Sequence, residues 1–103
     1  MQKEKFINYL TSEKRFSNHT IISYSTDINQ FFVFLSNEFQ IENDILEVNF
    51  QLVRSWIASL LEQGLSPSSV TRKISTLKTY FKFLIREGVI KDNPMLKVIS
   101  PKS

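Results

Sequence analysis

The sequence has 103 residues, 42% hydrophobic and 22% charged, with one histidine, two glycines, three prolines and no cysteine. That length fits one domain with a core of its own, and the residue counts exclude a disulfide framework, a Cys-ligated metal and a His-based metal set. The net charge of +3 joins two unlike parts: residues 1–71 hold five basic and eight acidic side chains, residues 72–103 eight basic and two acidic. Such polarity matches a polyanion on one side of the domain, and equally a solvated Lys-rich helix. No apolar run reaches the ~18–20 residues that span a bilayer. The start, Met1-Gln2-Lys3-Glu4-Lys5, mixes acid with base and leads into no signal-peptide segment.

Two glycines are too few for a hairpin-rich β fold, and the apolar spacing is helical. A first short helix is predicted over 2–12 on Phe6, Ile7 and Leu10. Ser17 is placed to cap a second over 18–37, where Ile21, Tyr24, Ile28, Phe31, Phe32 and Leu35 form one stripe and His19, Ser23, Thr26 and Gln30 lie opposite. Residues 37–49 read as an acidic loop carrying the plugs Phe39, Ile41, Ile45 and Leu46. A third helix over 50–63 buries Val53, Trp56, Ile57 and Leu60 and stops at Gly64. Ser66-Pro67 opens the fourth and longest, over 67–87, with Val70, Ile74, Leu77, Phe81, Leu84 and Ile85 as its stripe. Asp92-Asn93-Pro94 predicts a short fifth helix over 94–99. The expected fold is an all-α compact bundle of four main helices plus a short fifth. The domain is expected over 1–99, with 100–103 the start of a linker.

Catalytic constellations are missing: His19 has no cysteine or second histidine beside it, no Gly-x-Ser-x-Gly turn presents a serine, and no glycine-rich loop cradles phosphate. Binding chemistry is better represented. With Ile74 on the core side, Ser69, Arg72, Thr76 and Thr79 project from the opposite face of the fourth helix, flanked by Lys73 and Ser75. The second helix begins similarly, with Lys14 and Arg15 ahead of Ser17, His19, Thr20 and Ser23. Hydroxyl-rich helix starts with basic neighbours suit phosphates in a DNA groove, and they also serve simply as caps and solvated faces. Trp56, Tyr24 and Tyr80 are expected in the core and Tyr9 at the surface. Phe83 points away from Ile74 and is expected to be exposed, a protein-contact candidate with Met95 and Leu96 of the fifth helix.

These motifs resemble the N-terminal core-binding, SAM-like domain of tyrosine recombinases, or phage integrases. The resemblance runs through Phe16-Ser17-Asn18-His19-Thr20, Tyr24, Asp27 and Phe31, then Val48 to Leu61 and Gly64-Leu65-Ser66-Pro67-Ser68-Ser69. Its strongest stretch is Arg72 to Leu84, continuing through Arg86-Glu87-Gly88 to Asp92-Asn93-Pro94. It implies a bacterial cytoplasmic, nucleoid-associated protein and one arm of a C-shaped clamp on a double-stranded recombination site. The second and fourth helices would cross the major groove, and other recombinase protomers would be partners in a tetrameric synapse. Catalytic residues would lie in a separate C-terminal domain, so this chain alone is expected not to be an enzyme; no cofactor, membrane or small-molecule substrate is implied. A match starting so near residue 1 points to a Xer-like arrangement. The DNA-binding candidates are Arg15, Ser17, His19, Thr20, Ser23, Ser66, Ser68, Ser69, Arg72, Lys73 and Thr76. The start of the second helix carries His19 and Ile22 and that of the fourth Ser68 and Ser69, with fewer Arg and Lys than many members, so phosphate contacts are the expectation. The other reading left by the residues is a helical protein-interaction module without DNA binding.

Overall fold

Side-chain oxygens set where the helices begin. In the computed structural model, which describes residues 2–42 and 44–102, Ser17 accepts from the Thr20 N–H, Asn49 from Leu52 and Ser66 from Ser69. Each satisfies one of the N–H groups that a helix start leaves without a partner. The helices are α1 (Gln2–Ser12), α2 (Asn18–Phe39), α3 (Phe50–Glu62) and α4 (Pro67–Arg86). Their ends also share a device. A left-handed residue follows the last turn, and the next N–H folds back onto a carbonyl of that turn: Gly64 and Gly88 do this after α3 and α4, Arg15 and Gln40 after α1 and α2.

All four helices lie where the apolar spacing predicts them, within two residues at each end. The short fifth helix does not form. Pro94–Lys97 is a turn, begun by Asn93 accepting from the Met95 N–H and continued by Val98 N–H to the Met95 carbonyl. Too few residues follow Pro94 before Pro101 to offset helix nucleation, and the turn instead drives Met95 and Val98 into the core. The expected loop before α3 contains one 3₁₀ turn, Ile45–Glu47, whose N–H at Leu46 is capped by Asp44. Residues 100–102 form no helix or strand; Met1 at the start of the expected domain, Ser103 at the end of the expected linker and Asn43 in the loop lie outside the described residues. No helix among the described residues is long and apolar enough to cross a membrane.

The core fills the space between all four helices. Phe31 of α2 meets the buried Trp56 of α3 at 5.2 Å between ring centroids. Phe6 of α1 is a second centre, with Tyr80 at 4.9 Å, Phe83 at 5.4 Å and Tyr24 at 6.4 Å. This packing corrects the expected exposure of Phe83, which is 5% exposed and meets the tilted ring of Tyr9 at 4.9 Å between centroids. Periodicity on α4 marks one apolar stripe; it does not reveal that α1 covers the opposite edge. Met95, also expected at an interface, is buried at 2%, whereas Leu96 stands out at 80%.

Tyr80 is buried in this cluster, and burial pushes its phenol up to about 12 from an ordinary value of 10.0. No hydrogen bond reaches its hydroxyl among the described residues, so the packing favours the neutral ring. The folded chain therefore holds this proton where the unfolded chain releases it. The contribution is intact below about pH 10 and is lost as pH rises towards 12, on the order of 2–3 kcal/mol across that window. Urea unfolding at pH 8 and pH 11 is expected to show a smaller alkaline loss for Tyr80→Phe than for wild type; equal losses would mean the phenol does not couple to folding.

Candidate nucleic-acid interface

Asp27 lies on the apolar side of α2, three residues after Tyr24 and four before Phe31, and is 0% exposed. A carboxylate without water is costly unless cations and donors surround it. α4 supplies them. Arg72 donates from both terminal nitrogens at 3.1 Å, Lys73 Nζ at 2.9 Å and Thr76 Oγ1 at 2.8 Å. Lys73 also donates to Gln30 Oε1. Positions 72, 73 and 76 share one turn of α4, so three donors converge on a single carboxylate.

This network corrects the expected face of α4. Lys73, at 6% exposure, and Thr76, at 1%, point inward to α2 and cannot project into a groove. Arg72 straddles the boundary, gripping Asp27 while its side chain stays 51% exposed. The face that does reach solvent runs through Ser68, Arg72, Ser75, Lys78, Lys82 and Arg86, at steps of three or four. Lys78 and Lys82 escaped the sequence reading. The signal for them was Asp27: a carboxylate on an apolar stripe demands cations from the facing helix, which turns Lys73 inward and carries 78 and 82 out.

The face is electrostatically one-sided. α4 contains five cations and no acid. Asp27 offsets one of the two charges that bind it, and Arg86 is held by Glu13 at 3.1 Å and Glu87 at 3.5 Å. Its hydrogen bond to Glu13, then the Glu13 charge, raise the Arg86 guanidinium above its ordinary value. Lys78 and Lys82 make no ion pair among the described residues.

The candidates on α2 sit apart from those on α4. As residue numbers fall from Gln30 to Asp27 on α2, their partners rise from Lys73 to Thr76 on α4, so the helices run in opposite directions. Ser17, His19, Thr20 and Ser23 therefore lie at one end of the pair, and Ser66, Ser68 and Ser69 at the other. Ten residues of helix on either side of the Asp27–Thr76 contact separate the two starts by about 30 Å. Ser17 and Ser66 are engaged as caps, each also bonded to a hydroxyl three residues on. His19 and Ser68 are exposed, Thr20, Ser23 and Ser69 half-buried, and Arg15 is exposed on the turn after α1.

Four helices, with the second and fourth locked together and a basic face without an acid on the last, define a small all-α domain. The chain belongs to the phage integrase N-terminal SAM-like domain family, whose sequence profile matches residues 4–88. Its relatives include tyrosine recombinase XerC of Listeria innocua serovar 6a, 37% identical over 101 residues, covering 98% of this chain and 33% of the relative. XerC of Oceanobacillus iheyensis is 40% identical over 100 residues, covering 97% and 32%. XerC of Bacillus subtilis is 38% identical over 97 residues, covering 94% and 31%. The chain thus spans about a third of the length of these curated relatives. No solved structure gives a significant match.

Asp27→Ala leaves Lys73 buried without its counter-charge and is expected to cost about 3–5 kcal/mol in urea unfolding. Asp27→Leu combined with Lys73→Met is expected to recover much of that loss, because the pair is removed as a unit. A single variant as stable as wild type would show that the carboxylate does not hold α2 to α4.

Proposed function

We propose that this domain binds duplex DNA as one arm of a clamp on a recombination site, within a site-specific tyrosine recombinase whose strand-exchange chemistry resides elsewhere in the protein. The observation that carries the reading is the exposed face of α4, where Arg72, Ser75, Lys78 and Lys82 present cations and a hydroxyl with no acid between them. A surface of that kind neutralises phosphates and releases their counterions. Family membership and relatives named as tyrosine recombinases support the same reading. Arg72 and Lys78 are the principal phosphate ligands in it. Arg15, His19, Ser23 and the start of α2 serve at one end of the face, Ser68 and Ser69 at the other. Lys73 and Thr76 act from beneath by fixing Asp27 and through it Arg72. Tyr9, Tyr24 and Tyr80 have no nucleophilic role.

Contacts with other recombinase protomers are the second part of the proposal. Leu46, at 72% exposure, and Leu96, at 80%, line a cleft of about 640 Å³ between residues 45–50 and 88–97. This apolar rim also supports the alternative of a protein-interaction module without DNA. A nucleoid-associated location follows from the DNA reading, and the bacterial source of the relatives supports a bacterial one.

Binding of a labelled duplex measured between 50 and 200 mM salt separates these readings. Arg72→Ala and Lys78→Ala are each expected to weaken binding and to reduce the slope of log affinity against log salt by about 0.9 per lost phosphate contact. Lys73→Ala is expected to act first on stability. Unchanged affinity and slope in both Arg72→Ala and Lys78→Ala would overturn the assignment of the α4 face.

A further inference from the structure

The end of α1 and the last turns of α4 enclose a cleft of about 360 Å³, lined by Tyr9, Lys14, Thr79, Lys82, Phe83 and Arg86. Three of these six are cations and none is an acid. The carboxylates that hold Arg86, Glu13 and Glu87, line an adjoining cleft that shares Tyr9, Phe83 and Arg86 with this one. Arg86 is thus paired with carboxylates on one side, while Lys14 and Lys82 on the other have no ion-pair partner among the described residues. Tyr9 supports the cationic side, with Arg86 Cζ 4.8 Å and Lys14 Nζ 5.9 Å from its ring centroid. Lys14 is not on a loose tail. Its N–H is bonded to the Tyr9 carbonyl, Phe16 N–H returns to Leu10, and the Phe16 ring meets Tyr24 edge-on at 5.7 Å.

We infer that this cleft is a phosphate site for the DNA backbone, formed by Lys14 and Lys82 above the Tyr9–Phe83 pair and separate from the one at Arg72. The inference rests on the proposed DNA-binding function and adds α1 to it. Lys82 lies ten residues beyond Arg72, about 15 Å along the helix. The major groove is about 12 Å wide between the backbones that flank it. One duplex laid on the α4 face therefore meets Arg72 on one backbone and the cleft on the other. A cleft fixed by packed rings and backbone bonds needs little reordering to accept the anion.

The test uses fluorescence anisotropy with a labelled 20-base-pair duplex of arbitrary sequence, titrated at several salt concentrations. Lys14 and Lys82 are exposed and make no hydrogen bond or ion pair through their side chains among the described residues, so Lys14→Ala/Lys82→Ala is expected to melt like wild type. It is expected to lose about 0.9 of the salt slope, one phosphate, and Lys82→Arg to retain it. Arg54→Ala, which removes an exposed cation from α3, is expected to leave the slope unchanged. Wild-type binding that weakens in Arg72→Ala but keeps its full slope in the double variant would overturn the cleft and leave the function standing. An equal loss in Arg54→Ala would also overturn it, since any cation would then do. Failure of wild type to bind the duplex at every salt concentration would overturn the function and the cleft together.

Discussion

A single buried carboxylate decides how the two longest helices meet. Asp27 cannot be solvated where it sits, and the donors that satisfy it, at positions 72, 73 and 76, lie about one turn apart at most on α4. Hydrophobic contact alone lets two helices slide or rotate against each other with small changes in buried area. A bidentate guanidinium with an ammonium and a hydroxyl on the same two oxygens permits one register and one rotation. From that register follows the list of α4 side chains left outside, and with it the character of the surface.

α1 has a different part. It is short and adds little to the interior beyond Phe6 and Leu10, yet Phe6 touches aromatic rings from both α2 and α4. By lying over Phe83 it converts an apolar protrusion into core and brings Tyr9 and Lys14 beside the end of α4. Covering and charge placement come from the same few residues. The Glu13–Arg86 pair, half-exposed on both sides, adds geometry there more than stability.

Much of this was legible in the residues. Ser17 and Ser66 marked helix starts because their hydroxyls have one evident use, and the stripes of α2, α3 and α4 gave the buried faces. The site was only partly legible. Periodicity assigns each residue an angle around its own helix but says nothing about which neighbour occupies that angle. Thr76 and Lys73 look solvent-facing on α4 taken alone and become interior once Asp27 is opposite. Phe83 fails in the converse way, since its cover comes from a segment more than 70 residues earlier in the chain. The turn at 94–97 shows a third limit: a capping signal starts a helix only where enough chain follows to propagate it.

The opposed directions of α2 and α4 have a consequence for docking polarity. Each helix carries a partial positive charge at its start and a partial negative one at its end. With the two antiparallel, these fields nearly cancel along the pair and leave a face with almost two-fold symmetric backbone electrostatics. In the proposed complex the strands of the duplex are themselves related by two-fold axes, so the backbone would give such a face no preferred heading. Only the side chains break the tie. Lys14, Lys78 and Lys82 lie towards the end of α4 and no exposed lysine of α4 lies towards its start, so a few lysines would serve as the compass of the domain.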